Sequence, residues 1–240
     1  EVDKHALDYY ISLHYIPGPL TLFKGINKLL PGHIAIYKDN RLAVKKYWDI
    51  NFSAGNESDG FYIKKFWELL SESVKMRLMS EVPLGVYLSG GLDSNVILSI
   101  MSEEKKSVGV TDSIKTFTVG FDDTNFGELE FGELSAEFFG TDHHPITVTK
   151  DDIKVLPEVI WHYDEPIANT ASIPLYVMSR EAKKYVTVVL TGEGGDELLA
   201  GYRQYKKMKF ETLPVPNSIK MMSEKLSLGV GGKFSRRLKY

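Results

Sequence analysis

Twice in this chain an apolar run that reads as a buried strand breaks into glycines and acids and then turns helical. Val82-Pro83-Leu84-Gly85-Val86-Tyr87-Leu88 runs into Ser89-Gly90-Gly91-Leu92-Asp93-Ser94, and Val96 to Met101 continues as a helix. Tyr185-Val186-Thr187-Val188-Val189-Leu190 runs into Thr191-Gly192-Glu193-Gly194-Gly195-Asp196-Glu197. A strand that turns straight into a helix offers free backbone N–H groups and the positive end of a helix dipole to an anion. Paired glycines permit positive φ and a close ligand approach. Ser89 and Ser94 add hydroxyl donors. Asp93 would repel a phosphate unless a cation lies between them, so Mg²⁺ is implied. Acids near a helix start are also stabilising in their own right. That alternative suits Glu197 but leaves the three glycines around Glu193 unexplained.

The first loop lacks G-x-x-x-x-G-K-[ST] and G-x-G-x-x-G, so neither the phosphate loop of that name nor a dinucleotide fingerprint is present. Around the two loops, strands are expected at 84–88, 115–120, 143–148 and 186–190. Helices are expected at 61–80, 94–104, 128–139, 151–163, 173–184 and 195–209. Such alternation predicts an α/β domain with a doubly wound parallel sheet. The 186–190 run is apolar enough for a strand covered on both faces. Ligands in such sheets bind beyond the carboxyl ends of the strands, where both loops fall.

Residues 1–50 differ in texture. Tyr15-Ile16-Pro17-Gly18-Pro19 and Leu30-Pro31-Gly32 read as turns. A strand pair at 33–38 and 42–48 is expected around Asp39-Asn40. Residues 51–60, rich in Ser, Asn, Gly and Asp, read as a linker.

Lys+Arg 29 against Asp+Glu 32 gives a net charge of −3 over 240 residues, which does not call for nucleic acid. With no cysteine, the chain holds no disulfide, cysteine zinc site or cysteine nucleophile. No apolar run nears the roughly 20 residues of a membrane span, and no secretory pattern opens the chain. A cytoplasmic enzyme without membrane association is expected. Both ends, Glu1 and a basic tail up to Tyr240, read as cut from something longer.

The string S-G-G-x-D-S resembles the pyrophosphate loop of ATP pyrophosphatases, also called PP-loop enzymes. A longer series resembles the synthetase domain of glutamine-dependent asparagine synthetases. It comprises Gly85–Ser94, Thr116–Phe121, Phe139–His144, Tyr163-Asp164-Glu165-Pro166, Ser172-Ile173-Pro174 and Leu190–Glu197 with Gly201-Tyr202. Ahead of these, Phe23-Lys24-Gly25-Ile26, Leu30-Pro31-Gly32-His33 and Tyr47-Trp48 resemble the tail that follows the family's glutaminase domain. The resemblance implies residues 1–55 as tail and linker, a short β-containing appendage. It implies residues 56–240 as a C-terminally truncated synthetase domain.

The resemblance also implies chemistry. Aspartate's β-carboxylate attacks the α-phosphorus of ATP, and ammonia from a glutaminase domain absent here displaces AMP to give asparagine. Asp93 and Asp196 match the metal-holding acids. Ser89, Gly90, Gly91, Leu92 and Ser94 match the pyrophosphate loop. Leu88, Val119, Thr191 and Gly192 match the adenosine contacts, and Glu193 matches the acid needed for adenylate formation. Homodimerisation is left open.

There are departures. Gly127 stands where the family commonly has an acid, and the family's pyrophosphate-stabilising lysine falls past Tyr240. The alternatives are a β-lactam-synthetase-like or other PP-loop adenylating enzyme, or a non-catalytic ATP-binding module. Intact Asp93, Glu193 and Asp196 argue against the last.

Elsewhere His143-His144 beside Asp142 reads as a strand-edge pair rather than a metal site, for want of a third ligand. His162 and Asp164 stand near the expected substrate pocket. Tyr202 to Lys209 reads as a solvated basic helix end. Trp48, Trp67 and Trp161 read as core or interface anchors.

Overall fold

Asp3 accepts hydrogen bonds from the N–H groups of His5 and Ala6 and so starts a helix, α1 (Lys4–Leu13), that was not among the expected elements. The computed structural model describes residues 1–53, 55–109, 111–122 and 127–205. Its α-carbon contacts divide the chain into two compact units, Glu1–Glu193 and Gly194–Tyr240.

In the first unit, β1 (His33–Lys38) and β2 (Arg41–Lys46) form the expected antiparallel pair. Asp39 and Asn40 both take positive φ, 51° and 60°, which a two-residue hairpin with the right twist requires. Helix α2 (Asp59–Leu78) starts on Ser58, whose side chain accepts from the Phe61 N–H, and carries Lys75 and Arg77 in its last turn. Then follow β3 (Leu84–Tyr87), α3 (Leu92–Ser107), β4 (Lys115–Phe121), α4 (Glu128–Phe139) and β5 (Asp142–Val148). Where one helix was expected over 151–163, a 3-10 turn (Lys150–Val155) precedes α5 (Leu156–Tyr163). Pro157 explains the break, because proline fits the first turn of a helix and not its interior. Helix α6 (Ser172–Ala182) leads to β6 (Val188–Leu190).

The four strands β3 to β6 are parallel and lie in the order β5-β4-β3-β6. Helices cover both faces, so this is the doubly wound α/β sheet that the alternation predicts. On one face Val86 and Leu88 pack with Leu98, Ile100, Met101 and Ala136. On the other Phe117 packs with Met178, Ala182 and Val186. The last strand departs from expectation. It is three residues long and pairs with β3 alone among the described residues, with Val188 40% exposed. Val186 is buried as expected but lies ahead of the ladder.

In the second unit, α7 (Gly195–Leu199) stops at Ala200, which takes the left-handed conformation at φ 55°. The single helix expected over 195–209 is thus broken at residues 200–202, turns helical again at 203–205, and lies outside the described residues from 206 on. Asn125 and Phe126, beside the departure at Gly127, also lie outside them. Trp48, Trp67 and Trp161 are all exposed, so none of them anchors the described core. No helix among the described residues is long and apolar enough to cross a membrane.

Candidate active site

Strand order decides where a ligand can sit. The chain steps from β3 out to β4 and β5, then returns across the sheet to place β6 on the far side of β3. The direction of winding reverses between β3 and β6, and the helices beyond two such strands diverge to leave a crevice at their carboxyl ends. The residues beyond β3 are Leu88 to Ser94, and those beyond β6 are Thr191 to Glu193. Both segments singled out from the sequence therefore meet at the switch point of the sheet.

The first loop is internally tied. Ser94 Oγ accepts from the Ser89 N–H at 3.2 Å and lies 3.1 Å from Ser89 Oγ. Ser94 Oγ also donates to the Gly91 carbonyl at 3.2 Å. Ser89 Oγ accepts from the Gly91 N–H at 3.3 Å. These bonds shape the turn around Gly90, which takes φ +72°. A Cβ on Gly90 would stand 2.5 Å from Phe131 Cβ, so α4 closes on this loop only because no side chain is there.

Helix α3 then starts at Gly91 with no side-chain cap. The first-turn N–H groups of Leu92, Asp93 and Ser94 are the kind an α-helix leaves without an internal partner, and they form the positive end of its dipole. Asp93 is half-buried in this first turn, while Leu92 is exposed. A carboxylate and a row of N–H donors at one helix start suit a phosphate with a bridging cation. Mg²⁺ is held typically by one or two carboxylates plus substrate phosphates, so Asp93 fits that use without a full protein cage. No group of three histidine or acidic side chains able to hold a metal occurs among the described residues.

Gly192 brings the second loop against the first. A Cβ built on it would lie 2.7 Å from the Ser94 nitrogen and 2.8 Å from both the Asp93 carbonyl carbon and Asp93 Cβ. Two of those atoms are main chain and cannot rotate away. Gly192→Ala therefore pushes the loops apart, with an expected loss of about 1–3 kcal/mol in stability. Its apparent ATP affinity falls with it. Calorimetric melting and nucleotide titration measure the two effects, and wild-type values for both would show that the loops do not depend on this contact.

The remaining site residues are placed as follows. Leu88 is 1% exposed; its N–H donates to the Phe117 carbonyl at 2.8 Å and its carbonyl accepts from Thr118 Oγ1. Thr118 thus holds the end of β3, a role that nothing in the local pattern signalled. Val119 lies half-buried at the carboxyl end of β4, on the α6 face. Thr191 is exposed, and its Oγ1 accepts from the Glu193 N–H at 3.3 Å. Glu193 is exposed. Asp196 belongs to the second unit, half-buried in the first turn of α7. A Cβ on Gly201 would fall 1.8 Å from Asp196 Oδ1, so that glycine makes room for the carboxylate.

The two histidines stand at the opposite, amino end of the strands. His143 Nδ1 is 2.9 Å from Thr116 Oγ1, and burial holds its imidazole below the ordinary histidine value. His144 stacks on Phe117 with ring centroids 5.2 Å apart, and its Nε2 lies 3.3 Å from Asp142 Oδ1. They are packing residues of the β5 edge. The ion pair between Lys28 and Glu165, at 2.8 Å, was not singled out from the sequence; its partners are 137 residues apart, beyond any local pattern.

A family model described as asparagine synthase matches residues 65–237. Asparagine synthetase (glutamine-hydrolyzing) 1 of Bacillus subtilis is 36% identical over 220 residues, which cover 89% of this chain and 34% of that protein. Putative asparagine synthetase (glutamine-hydrolyzing) 2 of Methanocaldococcus jannaschii is 33% identical over 206 residues, covering 84% of this chain and 39% of that protein. The chain thus spans under two fifths of the length of these curated relatives. Among solved structures, an NH3-dependent NAD synthetase from Campylobacter jejuni aligns with a TM-score of 0.39 at 15% identity, over 58% of this chain and 60% of that one.

Proposed function

The chain belongs to the asparagine synthase family, and from that premise we propose that it is the ATP-dependent, amide-forming part of an asparagine synthetase. The observation that carries this is the crevice at the reversal between β3 and β6. There an uncapped helix start with Asp93 faces a loop whose Gly192 approaches it within van der Waals limits. That arrangement suits a triphosphate cleaved between its α and β phosphates.

In this reading the α-phosphorus of ATP is attacked by the β-carboxylate of aspartate. The bond to the β-phosphate breaks, pyrophosphate leaves, and aspartyl-AMP remains. Ammonia then attacks the acyl carbon, AMP departs, and a proton is lost as the amide forms. The N–H groups of Leu92, Asp93 and Ser94, with the Ser89 hydroxyl, receive the departing pyrophosphate, fixed in place before the charge develops. Mg²⁺, when bound, neutralises phosphate charge as a Lewis acid. Asp93 is proposed as one of its ligands and Asp196, carried by the resemblance, as another. Main-chain groups near Leu88, Val119, Thr191 and Gly192 are proposed to meet the adenosine. Glu193 is proposed to manage charge or the ammonia proton. The same reading assigns residues 1–55 to the end of a glutaminase domain that supplies ammonia. It sets the protein in the cytoplasm and accommodates a homodimer.

The test supplies the intact protein with ATP, Mg²⁺, aspartate and ammonium and follows pyrophosphate, AMP and asparagine. Equal amounts of all three support the proposal; pyrophosphate without asparagine points to another acceptor, and no pyrophosphate sinks it. Glutamine offered to this chain in place of ammonium yields no glutamate, because the sequence has no cysteine to act as the nucleophile. Glutamate release by the chain alone would contradict that.

A further inference from the structure

We infer that Lys28 is a positioning residue for the acyl substrate, acting through Glu165 on the segment that leads into α6. This rests on the adenylation reading above. Lys28 Nζ donates to Glu165 Oε1 at 2.8 Å and to the Ile16 carbonyl at 3.1 Å. The side chains are 34% and 28% exposed, so the pair is partly shielded from solvent and more than a surface contact. It ties the turn region of the opening residues to the loop between α5 and α6.

That loop stands at the business end of the sheet. Ile173, in the first turn of α6, packs against the apolar cluster that contains Val148 at the carboxyl end of β5, and Val119 near the carboxyl end of β4 borders the same cluster. Further along the helix, Met178 and Ala182 pack with Phe117, two residues before Val119 on β4. The helix therefore runs back from the ligand end, and its start faces that end. Ile167 of the loop joins the same apolar cluster as Ile173. Between them Asn169 takes the Ala171 N–H on its side chain at 2.9 Å and the Ser172 N–H on its carbonyl at 3.2 Å. Ser172 is 3% exposed, and its hydroxyl has no partner among the described residues. A helix start without a side-chain cap, holding a buried hydroxyl with no partner among the described residues, suits a substrate carboxylate. Lys28 fixes one end of the segment that sets this helix start.

The experiment compares wild type, Lys28→Ala and Lys28→Arg in the intact protein. Amide hydrogen exchange over residues 164–172 is measured without ligand, and the Michaelis constants for aspartate and ATP are measured with ammonium. In Lys28→Ala the exchange of this segment speeds up severalfold. The aspartate constant rises about fivefold or more, as for loss of a ground-state positioning contact, and the ATP constant stays put. Lys28→Arg, which keeps the charge, recovers most of both effects. Unchanged exchange, or equal shifts in the two constants with a lower melting temperature, overturns the inference in favour of a plain structural tie. A wild-type protein that forms no asparagine overturns the adenylation reading and this inference with it. A working wild type with unmoved constants in Lys28→Ala overturns the inference alone.

Discussion

Asp93→Ala is expected to lower ATP-dependent pyrophosphate release by at least about a hundredfold, the scale seen when one fixed electrostatic contact to a developing charge is removed. The carboxylate lies in the first turn of α3, half-buried, with Gly192 held against its own backbone. If it serves only to complement the helix dipole, its loss costs about 0.3–1 kcal/mol of stability and leaves the rate alone. If it holds a cation against the phosphates, the rate collapses while the fold remains, because a helix of 16 residues packed through Leu98, Ile100 and Met101 does not depend on one acid. Asp93→Asn separates charge from shape: the amide keeps the volume and fails as a magnesium ligand. Turnover is followed across a magnesium titration alongside circular dichroism. Near-normal rates at limiting magnesium in either variant would reduce Asp93 to a helix-stabilising acid.

Local chemistry announced much of the architecture. Asp39-Asn40 between apolar alternations specified the hairpin because few residue pairs accept two positive φ values in succession. Helix α4 spans the expected 128–139, bounded by Gly140 in the left-handed conformation that ends many helices. The expectations weakened where one local rule overrode another. Apolar periodicity ran through 151–163, yet Pro157 split the segment. The apolar run 185–190 looked like a strand enclosed on both faces, yet only its second half, β6, enters the ladder, at the edge of the sheet among the described residues. Apolar content reports burial, and Val186 is buried without being paired. Helix α1, started by the Asp3 cap, was not among the expected elements.

At the site, glycine spacing pointed to the two loops, since glycine is needed where backbones come within about 3 Å. It could not point to Thr118, Phe131 or Lys28. Their importance lies in contacts that only the fold creates: a hydroxyl on the Leu88 carbonyl, a helix over Gly90, an ammonium on Glu165.

Glu193→Gln separates a structural from a chemical role at the second loop. The residue is exposed between Gly192 and Gly194, and its N–H is held by Thr191 Oγ1. The helix that follows, α7, carries no side-chain cap. An amide retains the size and the acceptor oxygen of the carboxylate, so a role in shaping the turn would survive the change with at most about 1 kcal/mol lost. A role in stabilising charge or accepting the ammonia proton would not survive, because the amide is neutral and is not a base. Groups that move protons in a transition state contribute roughly 10²–10⁴-fold. Glu193→Gln is therefore expected to bind ATP nearly normally and to lose at least about a hundredfold in asparagine formation, mostly in kcat. Following pyrophosphate and asparagine separately locates the loss. If both fall together, Glu193 acts at adenylate formation; if pyrophosphate release persists and asparagine lags, it acts on the incoming ammonia. Unchanged kinetics with a slightly lower melting temperature would leave it a loop residue.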